Sequence, residues 1–146
     1  MSNNYQKSCV QEFNNTSTVI NPTTAGGVQV TFGNTCTKTG CSICPQLNGV
    51  KILNSGLYEF NFDASYLNGT AAGSIKAQLY RDGSPVPCAF ASDGLVASEV
   101  GNLTFSTRLR IPTCCAIQPN FTVVFTGDGV TALTLQHVAL GVTKLA

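Results

Sequence analysis

The sequence predicts an all-β fold, a sandwich of strands joined by tight turns, and three observations carry that reading. Apolar and polar residues alternate with a period of two over most of the chain after residue 17. Turn-forming pairs separate these runs at the spacing of an all-β sandwich. Polarity comes mainly from uncharged Thr, Asn and Ser, 40 of the 146 residues, alongside 14 Gly and 6 Pro. Charged residues make up 10% of the chain, against about 25% in average soluble domains. Such a composition suits strands and turns and disfavours a helical bundle.

Residues 1–16 show no periodicity and read as a polar N-terminal arm, a docking or disordered segment with Val10 and Phe13 as its only anchors. Residues 17–146 then form a single domain, long enough for a real core. Val28, Val30 and Phe32 mark a first short strand. In 56–64, Tyr58, Phe60, Phe62 and Ala64 share one face and Glu59, Asn61 and Asp63 the other, which is a strand with one buried side. Ile75, Ala77 and Leu79 repeat the pattern, and Val86, Cys88 and Phe90 give a shorter strand that places Cys88 as a small core residue. Leu103 to Ile111 and Phe121 to Phe125 follow. The aromatic residues Tyr58, Phe60, Phe62, Phe105, Phe121 and Phe125 are the expected centre of the core. Among the turn signals, Asp82-Gly83 is the strongest hairpin candidate.

The last segment breaks the rule. Leu133 and Leu135 share a parity with His137, whereas Val138, Leu140 and Val142 take the opposite one. A bulge would switch the parity. Alternatively the strand is apolar on both sides and buries its second face against another subunit. The second account is preferred, because few charges protect this half of the chain from association, and it makes Leu133, Leu135, Val138, Leu140 and Val142 interface residues.

A net charge of +1 without a basic run offers no footprint for nucleic acid or an anionic membrane. No stretch approaches the roughly 18 apolar residues of a membrane-spanning helix. The start lacks the apolar region of a signal peptide, so synthesis in a cytoplasm without general secretion is expected.

Seven cysteines stand at 9, 36, 41, 44, 88, 114 and 115. Cys36, Cys41 and Cys44 resemble part of a zinc knuckle, but a structural site needs a fourth ligand, from Cys9, Cys114, Cys115 or His137. The plainer reading is loop thiols, available for disulfides between subunits. His137 is the sole imidazole and sits inside a strand, where a hydrogen-bonded structural role is commoner than general base catalysis. Glu59 and Asp63 read as solvated surface. Sequon matches, among them Asn15, Asn68, Asn102 and Asn120, are expected by chance given such Asn and Thr abundance. No nucleophile elbow, metalloprotease helix, phosphate loop or EF-hand is present. Neither catalytic residues nor a cofactor are expected, and the chain is not read as an enzyme.

Gly56-Leu57-Tyr58-Glu59-Phe60, followed by Leu79-Tyr80-Arg81-Asp82-Gly83, resembles the strand and hairpin of the TNF-like jelly roll shared with complement-type globular heads. Phe32-Gly33-Asn34-Thr35, Pro85-Val86-Pro87-Cys88-Ala89, the 111–115 loop and the terminal Val142-Thr143-Lys144-Leu145 extend the likeness over roughly 17–146. It is similar to the small bacterial and phage branch of that superfamily, found in phage head fibres, virion-surface proteins and the tips of collagen-like spore-surface proteins. The resemblance implies a jelly roll of two antiparallel sheets, packed as a homotrimer with its inner sheet toward the neighbouring subunits. No Gly-X-Y repeat precedes the domain, which departs from the spore-filament version.

The function expected on these grounds is non-enzymatic: a trimeric module on a virion surface, made in a bacterial host cytoplasm, as head decoration, fibre or adhesion protein. Its partners would be itself, a capsid or other surface protein through residues 1–16, and a host-surface glycan. The alternative is a bacterial spore-coat or cell-surface subunit crosslinked through Cys9, Cys36, Cys41, Cys44, Cys114 or Cys115.

Overall fold

A computed structural model describes residues 7–112 and 118–146; Cys114 and Cys115 lie outside the described residues. Twelve strands are found among them: β1 (Cys9–Asn14), β2 (Thr18–Ile20), β3 (Val28–Gln29), β4 (Asn34–Thr39), β5 (Ile43–Gln46), β6 (Gly49–Ile52), β7 (Gly56–Asn68), β8 (Gly73–Arg81), β9 (Ser84–Leu95), β10 (Val100–Ile111), β11 (Asn120–Asp128) and β12 (Leu133–Lys144). They form two sheets, and every named strand pairing is antiparallel. The first sheet runs β10-β7-β12-β1-β4, with β2 also on β12; the second runs β5-β6-β11-β8-β9, with β3 also on β11. This is the jelly roll the resemblance implies.

Alternation drives the packing. Along β7, Tyr58, Phe60, Phe62, Ala64 and Tyr66 are buried, while Asn61 and Asp63 face out. Phe105, Phe121 and Phe125 are buried with them. Phe62 lies at the centre, with ring centroids 5.3 Å from Phe105, 6.2 Å from Phe125 and 6.4 Å from Phe32. Phe60 meets Phe121 across the two sheets at 4.6 Å. The β8–β9 hairpin turns at Asp82 and Gly83, both at positive φ (49° and 83°), the backbone that a two-residue turn matching strand twist requires.

Four readings of the sequence are corrected here. Residues 9–14 are not a free arm: β1 lies between β12 and β4, with Val10 opposite Val142, and buries Val10 and Glu12. A docking segment therefore cannot extend over 1–16; residues 1–6 lie outside the described residues. Cys88 is exposed and Ala89 buried, because β9 pairs irregularly with β8 between Gln78 and Tyr80.

The third correction concerns β12. Leu135 pairs with Tyr66 and His137 with Ser65, leaving Gln136 as the extra residue of a bulge. The bulge switches the parity, so Leu133, Leu135, Val138, Leu140 and Val142 all turn into the core of one chain, none more than 6% exposed. A surface against another copy must be built from other side chains. The same bulge puts His137 on the outer face, 37% exposed at its side chain, which is the fourth correction.

Removing the extra residue restores plain alternation without moving any partner. Deletion of Gln136 is therefore expected to change stability by about 1 kcal/mol or less. A chemical denaturation curve checks this, and a loss of several kcal/mol would mean the bulge itself holds the sheet.

Candidate interaction surfaces

The outer face of the first sheet is assembled from the polar halves of the alternating strands. Antiparallel pairing sets Glu59 opposite Arg108, Asn61 opposite Ser106 and Asp63 opposite Thr104. Arg108 Nε lies 3.7 Å from Glu59 Oε2, and Ser106 Oγ donates to Asn61 Oδ1 at 2.7 Å. On the neighbouring strand, His137 Nε2 faces Asp63 Oδ1 at 3.6 Å, and its Nδ1 meets Asn15 Oδ1. Cross-strand pairs of this kind are worth a few tenths of a kcal/mol each at an exposed site. Their larger effect is to hold the side chains in one arrangement.

Two small residues lower the middle of this face. Ala139 and Gly141 stand where β12 passes between β7 and β1. A Cβ on Gly141 would lie 2.6 Å from Gln11 Oε1, so glycine is what allows Gln11 to lie across the strand. The result is a groove of about 490 Å³ lined by Gln11, Asn61, Asp63, Thr104, Ser106 and Ala139.

Polar groups at one end of the sandwich are tied down internally. Tyr66 donates its hydroxyl to Asp93 Oδ2 at 2.6 Å, and burial, then this hydrogen bond and the Asp93 and Glu99 charges, raise its pKa. Asn68 is 3% exposed, and its Nδ2 donates to the carbonyls of Ala71 (2.8 Å) and Val96 (2.7 Å). Glycan attachment at that asparagine would need it turned out of the fold.

Glu12 has the most perturbed environment. It points inward from β1, 2% exposed, with Oε1 making no hydrogen bond. Desolvation pushes its pKa from 4.5 to about 8, only partly offset by a hydrogen bond from the Gln46 backbone amide. Sequence reading missed this carboxyl because it sat in the presumed arm, where an acidic residue looks like ordinary surface.

Among the described residues the cysteines do not converge on a metal site. Cys36 and Cys41 are exposed on and after β4, Cys44 is half-buried on β5, and Cys9 lies beside Thr143, whose Oγ1 donates to its Sγ at 3.6 Å. Cys88 Sγ is 3.5 Å from Thr107 Oγ1. Among the described residues no group of three or more His, Cys, Asp or Glu side chains could hold a metal ion, so Cys36, Cys41 and Cys44 are not brought together as a zinc site.

This architecture is similar to the jelly roll of TNF-like and complement-type globular domains. Solved structures similar to it over nearly their whole length include murine APRIL at pH 8.0 (14% identity, TM-score 0.70, 96% of this chain and 100% of that one). Others are the globular domain of zebrafish complement 1qA (12%, 0.68, 97% and 98%) and the Eiger TNF of S. frugiperda (11%, 0.65, 96% and 93%). No protein-family model and no curated protein matches by sequence. At such identities the likeness concerns the fold alone.

Proposed function

We propose that the protein is a non-enzymatic, trimeric interaction module displayed on a phage virion as a head decoration, fibre or adhesion protein. It would be made in the bacterial host cytoplasm and attached to a capsid or other surface protein. The observation that carries the trimer is the outer face of the first sheet. It is a sheet face lowered by Ala139 and Gly141, with Glu59 already paired to Arg108 and the Asp63 carboxylate facing the His137 ring. Paired charges lose less on desolvation than lone ones, which suits a face that must be covered by copies of itself. The family resemblance supports the same sheet as the inner one of a homotrimer. Three equivalent weak sites on one rigid body would then bind by avidity, and the scarcity of charge limits nonspecific attachment.

The test is solution mass by light scattering, with and without reductant. A mass near three times 15.3 kDa in both conditions is expected. Ala139→Arg, which fills the floor of the groove with a long side chain, should yield a folded monomer by circular dichroism and mass. A wild-type monomer would overturn the reading. A second reading, a spore-coat or cell-surface subunit crosslinked by disulfides, is favoured by the exposure of Cys36 and Cys41. A multimer that dissociates in reductant would select it.

A further inference from the structure

We propose that the outer face of the second sheet carries a binding site for a neutral saccharide, in a groove that crosses β3, β11 and β8. The inference rests on reading the protein as an interaction module and gives that module a contact point. The groove measures about 400 Å³, within the range of about 300–1,000 Å³ typical of small-molecule sites. Tyr80 from β8 stands directly across from Thr122 of β11. Gln29 of β3, Asn120, the Asp82-Gly83 turn and the 26–27 loop complete it.

Four features of this lining match a sugar. Tyr80 is half-buried, so part of its ring remains open to pack against the C–H face of a pyranose. Among the described residues the Tyr80 and Thr122 hydroxyls and the Asn120 side-chain amide make no hydrogen bond, which leaves donors and acceptors free for ligand hydroxyls. Gln29 accepts from Asn48 Nδ2 through Oε1, keeping its own amide hydrogens available. Asp82 is the only charged residue of the lining, and a carboxylate takes hydrogen bonds from adjacent sugar hydroxyls. As the only charge in the lining is a carboxylate, the groove disfavours acidic saccharides.

Asp82 is also held in place. Its backbone, at φ 49°, adopts a left-handed conformation uncommon for a residue with a side chain. Its amide donates to Asn120 O at 2.8 Å, while the Asn120 amide donates to Asp82 Oδ1 at 2.9 Å. This reciprocal pair clamps the hairpin to the start of β11 and leaves Oδ2 for a ligand. The second sheet stays exposed when the first is covered by neighbouring copies, so one trimer would present three such grooves.

The test is saturation-transfer NMR on the full chain with methyl glycosides of glucose, galactose, mannose and N-acetylglucosamine, and with sialyllactose as the acidic probe. Transfer to at least one neutral glycoside, weakened about tenfold or more by Tyr80→Ala and less by Tyr80→Phe, which keeps the ring and loses the hydroxyl, is expected. Asp82→Asn keeps the clamping acceptor and should also weaken binding. Absence of transfer to every neutral glycoside, preference for sialyllactose, or indifference to Tyr80→Ala would overturn the proposal. Light scattering on the same samples reports the trimer separately, so failure of the site and failure of the module reading are told apart.

Discussion

Replacing Glu12 by Gln is expected to abolish a steep loss of stability between about pH 4.5 and pH 8. The carboxyl titrates near 4.5 when exposed and near 8 in the fold, because burial between the sheets disfavours its charge. Below 4.5 both states hold the proton and the residue carries no charge penalty. Between the two values the unfolded chain has released its proton while the folded chain keeps it, so folding takes up a proton and weakens by about 1.4 kcal/mol per pH unit. Above 8 both states are ionised and the slope vanishes. Integrated over the interval, the loss reaches about 5 kcal/mol at most, comparable to the whole stability of a marginal domain. Denaturant curves at fixed protein concentration from pH 4 to 9 should show this decline in the wild type and a flat profile in Glu12→Gln. The two proteins should be near each other at pH 4 and furthest apart at pH 8. A variant retaining the wild-type slope would assign the proton uptake to another group.

Glu12 also shows why part of the fold escaped a reading of the sequence. A strand is legible when its inward positions are apolar, as Tyr58, Phe60 and Phe62 are in β7 or Phe121, Val123 and Phe125 in β11. In β1 the inward positions hold one valine and one glutamate, so the alternation disappears although the strand is central. Tertiary context decides there, since β12 and β4 supply the partners on either side. On β12 the period was visible but its interruption had two explanations, and only the pairing of Leu135 with Tyr66 and His137 with Ser65 chooses the bulge. The irregular pairing of β9 hid the exposure of Cys88 in the same way.

The surfaces were less legible than the core for a related reason. Glu59, Asn61, Asp63, Arg108 and Thr122 are polar residues at the outward positions of strands, which in sequence are indistinguishable from solvated surface. What brings them together is the register: Glu59 meets Arg108, and Thr122 meets Tyr80, across separations of 49 and 42 residues. Such pairings are set by strand order, which short motifs specify only through resemblance to a known fold. Asp82-Gly83 is an exception, since its turn chemistry is local and it also helps to build the groove on the second sheet.

Phe62→Ala is expected to destabilise the fold by about 3–5 kcal/mol, the cost of emptying an aromatic site in a packed core. The upper end applies because Phe62 touches three rings, Phe32 of the β3–β4 connection, Phe105 of β10 and Phe125 of β11, which cannot all close on the void. The melting temperature should fall by on the order of 10 °C. Val100→Ala, at a side chain 67% exposed, is the control and should stay within about 0.5 kcal/mol. The consequence extends to the outer face. Phe62 pairs directly with Phe105 and Leu140, and the same stretch of β7 carries Asn61 and Asp63 on its other side. Relaxation of β7 into the cavity would shift these two relative to Ser106 and His137. Phe62→Ala should therefore weaken the proposed trimer at concentrations where the chain is still folded, seen as a concentration-dependent drop in solution mass with an unchanged β-sheet spectrum. A mutant that loses core stability yet keeps its full mass would show that the outer face is not the contact between copies.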